Sequence, residues 1–235
     1  MLILAIDTST LTSSVALLKD NTLAAELTIQ TKKTHSEMLM PNIEQIIALA
    51  GADKQDLSAI AVSIGPGSFT GLRIGLATAK ALAYALNIPI VGVPTLPALA
   101  YNCPVPGALL SPMLDAQKGN VYQALFQYKN GRMHEVVPAR VISFDLALSE
   151  LNSQELPAIL LGEVAAANRD KIYLSAPKLA PAEEHVIMPR AGSVAILGKK
   201  MLITGTSHDV MALEPLYIRR SEAEELWEQR HGACV

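Results

Sequence analysis

The sequence predicts an α/β protein built in two halves, and three observations carry that prediction. The first half alternates apolar strand-like runs with helical periods, in the order strand, strand, strand, helix, strand, helix, strand. A proline-rich passage at residues 94–106 then breaks both patterns. A second strand pair follows at 109–114 and 121–127 and repeats the opening theme. The 235 residues allow one large domain or two of about 100–130 residues each. The expected division is 1–102 and 103–235, with the terminal segment free to pack back on the first half.

Residues 2–6 read as a buried strand, and 13–18 and 22–29 as two more, joined by a hairpin turn at Lys19-Asp20-Asn21. Thr34-His35-Ser36-Glu37 fits a capping box, so a helix is expected from there. Leu39, Ile43, Ile46, Ile47 and Ala50 keep its period, Gly51 stops it, and Pro41 should kink it. A strand at 59–64 turns through Gly65-Pro66-Gly67-Ser68 into a helix reaching about residue 86, and 90–93 is the next strand. In the second half, residues 138–156 are mixed, 158–161 form a short strand and 191–203 look helical. A second capping box at 221–224 should start a short terminal helix.

Composition excludes several classes. Half the residues are hydrophobic, 17% are charged and the mean hydropathy is +0.29, which is core-forming material and not a disordered chain. Nineteen basic against 22 acidic residues give a net charge of −3. That balance opposes a chain that grips nucleic acid alone, and 4% aromatics opposes a base-stacking platform. Cys103 and Cys234 form no CxxC pair, and a reduced cytoplasmic setting is expected. The apolar start ends at Asp7 without a basic region, which makes a poor signal peptide, and the greasy stretch 74–93 is interrupted by Lys80, Asn87 and Pro89, so no membrane span is expected. His35, His134, His185, His208 and His231 do not cluster, so no histidine metal site is expected. There is no GxSxG elbow for an esterase.

Four segments could carry chemistry. Asp7-Thr8-Ser9-Thr10 puts a carboxylate and hydroxyls at a strand end, where phosphate or a metal-bound water could sit; turn residues bonding their own backbone are the plainer reading. Residues 65–73, GPGSFTGLR, offer glycines and a helix start to an anion, yet lack the Gly-Lys-Ser/Thr of a P-loop. A tight strand-to-helix turn packed on a neighbour is the alternative. Gly71, Gly75, Ala79 and Ala83 share one helix face. Each interior glycine costs roughly 1 kcal/mol against alanine, so a close backbone approach must compensate, either to a helix of this chain or to one of another subunit. Asp115 stands at a strand end before a turn holding one glycine, Gly119.

Taken together, residues 4–9 (LAIDTS), His35-Ser36-Glu37, residues 65–75, Asp115 with Val121-Tyr122, and residues 214–219 (EPLYIR) resemble the bacterial TsaB (YeaZ) family over nearly the whole chain. The resemblance implies an actin-like ATPase (RNase H-like, ASKHA) fold of two lobes, each with a mixed sheet and flanking helices. It implies a non-catalytic partner that pairs with and activates TsaD, which transfers threonylcarbamoyl to the tRNA adenosine beside the anticodon. The TsaE ATPase joins the pair, and a TsaC-type enzyme supplies threonylcarbamoyl-adenylate. TsaD carries an HxxxH metal pair, and the matching positions here are Thr95 and Leu99. The glycine-poor loops after Asp7 and Asp115 also weigh against ATP binding. No cofactor is therefore expected on this chain alone, with ATP and metal expected in the partner complex. The expected partner interface takes His35, Met38, Leu39, Asn42 and Ile46 from the first helix. From the second it takes Phe69, Gly71, Leu72, Gly75, Ala79 and Ala83. Asp7, Thr8, Ser9, Gly65, Gly67 and Asp115 would mark a vestigial phosphate region. A symmetric homodimer is expected in isolation, with tRNA met only through the complex. A small-molecule kinase or ATPase of the same fold is the alternative.

Overall fold

A computed structural model describes residues 1–30 and 35–219. Two five-stranded mixed sheets organise them. The first has the order β3-β2-β1-β4-β5, with β1 (Leu2–Asp7), β2 (Thr12–Lys19), β3 (Thr22–Gln30), β4 (Ala59–Gly65) and β5 (Ile90–Pro94). β1 runs antiparallel to β2 and parallel to β4, and Asp7 lies opposite Ser14. β1 is buried on both faces, because Leu4 and Ile6 meet one set of helices while Ile3 and Ala5 meet another. That is why it reads as a continuous apolar run and not as an alternation.

Helices α1 (His35–Leu49) and α2 (Phe69–Leu86) cover one face of this sheet. α1 runs through Pro41 and ends at Gly51, whose φ of +61° closes the helix with Gly51 N donating to Ala48 O and Ala52 N to Ile47 O. Thr34 of the expected capping box, and the box at 221–224, lie outside the described residues. The opposite face is covered by α7 (Ala191–Ile203), which comes from the other end of the chain. Its N-terminal amides are satisfied by the sheet: Ala191 N donates to Ser14 Oγ (2.9 Å) and Gly192 N to Glu26 Oε1 (2.9 Å). Arg190 grips the other oxygen of Glu26 through Nε and Nη2. Glu26→Gln keeps one acceptor but removes the charge facing both Arg190 and the helix N-terminus. About 1 kcal/mol should be lost, lowering Tm by roughly 2–4 °C in a thermal melt.

The second sheet has the order β10-β9-β6-β7-β8, with β6 (Leu109–Asp115), β7 (Asn120–Lys129), β8 (Arg132–Ser143), β9 (Ala158–Leu161) and β10 (Leu179–Pro181). α3 (Thr95–Ala100) leads into it, and α4 (Phe144–Ser153), α5 (Glu163–Ala167) and α6 (Arg169–Ser175) decorate it. Two sequence expectations change here. The prolines at 94–106 do not exclude a helix: Pro94 caps α3 and Pro97 sits in its first turn, where no intrahelical N–H is required. The segment read as mixed divides into β8 and α4. β8 is an exposed edge strand with register shifts in its pairing to β7, so its apolar alternation is weak. No helix among the described residues is long and apolar enough to cross a membrane.

Candidate functional site between the two sheets

The strand end after β1 is held against the start of α2. Asp7 is buried, and its Oδ1 accepts from Ser9 N (2.9 Å) and Ser9 Oγ (2.6 Å), an Asx-type turn. Its Oδ2 is buried without a well-formed hydrogen bond. Burial pushes the Asp7 carboxyl up, while the Ser9 hydroxyl and amide, the Ser63 hydroxyl and the His35 charge pull it back only in part. His35 bonds through Nε2 to Thr10 O (2.8 Å), fastening α1 to the same loop.

Three amides of the glycine turn are engaged within the chain. Ser68 N donates to Ser9 O (2.7 Å), Gly71 N to Ser68 Oγ (3.3 Å) and Gly65 N to Thr95 Oγ1 (3.1 Å). Thr8 Oγ1 donates to Gly71 O (2.7 Å). A Cβ on Gly67 or Gly71 would lie far inside 3.0 Å of the Ser9 or Thr8 carbonyl oxygen, and one on Gly75 would collide with Thr8 Oγ1. Gly65 has φ +117°, and a Cβ there would come to 2.7 Å of Leu216 O. The motif thus works as a strand-to-helix turn packed on a neighbour, and the neighbour is the Thr8–Ser9 loop.

A cleft of about 760 Å³ lies between the sheets. Thr10, Leu11 and residues 67–70 line one wall, residues 115–118, Tyr122 and Glu163 the other, and Tyr217 and Arg219 also line it. Asp115 is exposed, and its carboxylate accepts from Gln117 N (2.8 Å) and Gln117 Nε2 (3.2 Å), so it shapes its own hairpin. Asp115 N donates to Glu163 Oε1 (3.1 Å). Burial raises the Glu163 carboxyl and the Asp115 charge adds to this, against the lowering effect of the Asp115 amide. Tyr217 stacks on Phe69 with centroids 4.9 Å apart, and the Arg73 guanidinium lies 3.8 Å over the Phe69 ring. Sequence reasoning missed Glu163, Tyr217 and Arg219 as wall residues, whereas Lys118 and Tyr122 lie in the candidate segment that Asp115 begins. Residues 214–219 had entered only as part of the resemblance, and nothing local marks Glu163.

The expected interface residues fall into two groups. His35, Met38 and Phe69 are half-buried. Leu39, Asn42, Ile46, Gly71, Leu72, Gly75, Ala79 and Ala83 are buried inside this chain. The expectation that the small face of α2 is kept for another subunit is therefore corrected. That face lies on β1 and its loop, and the close approach to Thr8 is what requires the glycines. The solvent side of the same two helices carries Met40, Leu49, Ala77, Ala81 and Tyr84. Thr95 Oγ1 pairs with Ser63 Oγ (3.0 Å), and Leu99 belongs to the apolar core of the second sheet. Among the described residues, no group of three or more His, Cys, Asp or Glu side chains could hold a metal ion.

A family model described as "TsaD: tRNA N6-adenosine threonylcarbamoyltransferase" matches residues 23–227. The tRNA threonylcarbamoyladenosine biosynthesis protein TsaB of Bacillus subtilis (strain 168) is 39% identical over 230 residues, covering 97% of this chain and 98% of the relative. A crystal structure from Pseudomonas aeruginosa, of an uncharacterized protein with similarity to peptidase YEAZ, superposes with a TM-score of 0.78 at 24% identity, over 93% of this chain and 99% of that one. The ROK hexokinase of Thermus thermophilus, at 12% identity and a TM-score of 0.51 over 87% of this chain and 100% of that one, shares the fold alone. The chain belongs to the TsaB (YeaZ) branch of the family that the TsaD model describes, on the two-lobed actin-like fold.

Proposed function

We propose that this chain acts in tRNA threonylcarbamoyladenosine biosynthesis as a non-catalytic subunit that pairs with a TsaD-type protein and biases it toward its active conformation. The observation that carries this reading is the solvent side of α1 and α2. Ala77, Ala81 and Tyr84 on α2 and Met40 and Leu49 on α1 put apolar side chains on the solvent side of the helix pair, which on α1 also carries Glu44 and Gln45, with Tyr84 and Leu49 each 74% exposed. The occupant is a TsaD-type paralogue. The TsaD model spans both helices of this chain, so such a partner offers the equivalent pair for a pseudo-symmetric four-helix contact. A second copy of this chain would use the same surface when that partner is absent. The TsaE ATPase joins the pair, and tRNA, nucleotide and metal are met through the partner.

The structure also supports a supporting role over the kinase alternative. Three amides of the glycine turn, on Gly65, Ser68 and Gly71, are bonded to Thr95, Ser9 and Ser68, and Asp115 bonds within its own hairpin. Thr95 and Leu99, at the positions of the TsaD histidine pair, serve internal packing.

The test is tRNA modification reconstituted from TsaD, TsaE and a TsaC-type enzyme, with and without this chain. Loss of product on omission is expected; unchanged product would remove the reading. Ala81→Arg places a charge on the exposed stripe. It should leave Tm within about 2 °C while weakening pairing with TsaD about 100-fold, because a charge would be buried without a partner. Wild-type affinity in that variant would reject the interface. ATP turnover by the chain alone would favour the kinase.

A further inference from the structure

Among the described residues, two covalent connections join the lobes: β5 through α3 to β6, and β10 to α7. They are tied to each other. Asn102, just past α3, donates to Val186 O (3.0 Å) and Met188 O (2.7 Å) and accepts from Ser193 Oγ (2.7 Å) at the start of α7. Neither connection lines the cleft. Two adjacent connections with a cleft beyond them form a hinge, about which lobes open and close unless something spans the mouth.

Residues 206–219 span it. Anchoring to the first lobe is repeated along their length. His208 N donates to Ile90 O (2.9 Å), and Gly92 N donates back to His208 Nδ1 (3.2 Å), which covers the outer edge of β5. Lys80 of α2 donates to Met211 O (2.9 Å) and Leu213 O (3.2 Å). Leu213 is buried in the core beneath α2, and Leu216 N donates to Ile64 O (2.7 Å). Tyr217 then stacks on Phe69 and accepts from Arg73 Nε (3.1 Å). Two residues on, Arg219 Nη1 donates to Ala116 O (2.6 Å) in the β6–β7 hairpin of the other lobe.

We propose that residues 206–219 are an interlobe clasp, in which Tyr217 on one wall and Arg219 on the other hold the cleft at a single opening without any ligand. The Arg219–Ala116 bond is charge-assisted, and it joins residues that line the cleft, which neither connection lines. Phe69 and Arg73, which grip Tyr217, belong to α2, so the clasp also ties the opening of the cleft to the start of that helix. This inference concerns the chain alone and does not depend on the partner.

The test is a pulsed electron-spin distance measurement between labels at Leu11→Cys, on the first rim of the cleft, and Leu146→Cys. The second site lies beside the hairpin, because Phe144 N donates to Gly119 O (3.1 Å). Cys103 and Cys234 are replaced by serine, and excess unlabelled chain ensures that only intrachain pairs are read. A single narrow distribution is expected for the otherwise wild-type chain. Arg219→Ala, and separately Tyr217→Ala, should broaden it and move it to longer distance, while Arg219→Lys should restore most of the narrow population. A distribution unchanged by both alanine variants would overturn the clasp. Amide exchange gives a second reading: in Arg219→Ala, residues 116–120 should exchange about tenfold faster while β1 is unaffected. Equal acceleration in β1 would mean general destabilisation and would also overturn it.

Discussion

Gly71→Ala is expected to destabilise the chain by about 3 kcal/mol or more and to lower Tm by at least ~6 °C. The reason is local and severe. One added methyl would be driven into the Thr8 carbonyl oxygen, in a loop that is itself pinned by Thr8 Oγ1 donating to Gly71 O and by Ser68 N donating to Ser9 O. Neither backbone can retreat without breaking those bonds. Gly75→Leu and Ala79→Arg would be worse, because the first collides with Thr8 and the second buries a charge at a site with no measurable exposure. Lost pairing in those two variants would report unfolding and not an interface, which is why Ala81→Arg is the informative substitution. Thermal melts decide the matter. A Gly71→Ala chain melting within 2 °C of wild type would show that the Thr8 loop moves aside easily.

Asp7→Asn is expected to stabilise the chain at neutral pH by something on the order of 2 kcal/mol, because it removes a carboxylate whose burial its hydrogen bonds offset only in part. The folded chain holds the Asp7 proton more tightly than the unfolded chain does, because burial raises the carboxyl pKa above 3.8. The stability linked to that proton is complete below the ordinary carboxylate range and is lost as pH rises through the folded value. At neutral pH the carboxyl group is therefore a net cost, because its ionised form is disfavoured by burial more in the folded than in the unfolded chain. Asparagine keeps an acceptor for Ser9 and turns the orphaned Oδ2 into a donor, which the Ser63 hydroxyl can accept by rotating. The gain in Tm over wild type should be present at pH 7.5 and shrink toward pH 4. Parallel curves across that range would mean that the carboxylate is satisfied where it stands.

The first half was legible because each of its elements is marked locally. β1 is apolar at every buried position, α1 has its period and a glycine stop, and Ser68 caps α2 as a serine before a helix should. β8 and the short helices α3, α5 and α6 were not legible. An exposed edge strand has little apolar alternation to show, and Pro97 in a first helical turn reads as a breaker to anyone who cannot see that no hydrogen bond is needed there. The cleft was half legible. Gly67 and Asp115 stand in recognisable turns, whereas Glu163, Tyr217 and Arg219 reach it only through folding and carry no signal of their own.

By itself the sequence determined the α/β class, the repeated strand-pair opening of the two halves, the family resemblance, and the presence of a helix face whose glycines demanded a close neighbour. Which neighbour was a tertiary question. Period-four spacing states that one side of α2 is small, but an intrachain strand loop and a partner helix impose the same requirement on that side. Only the structure, by setting Gly71 and Gly75 against Thr8, assigns the small face to the core and turns Ala77, Ala81 and Tyr84 to solvent.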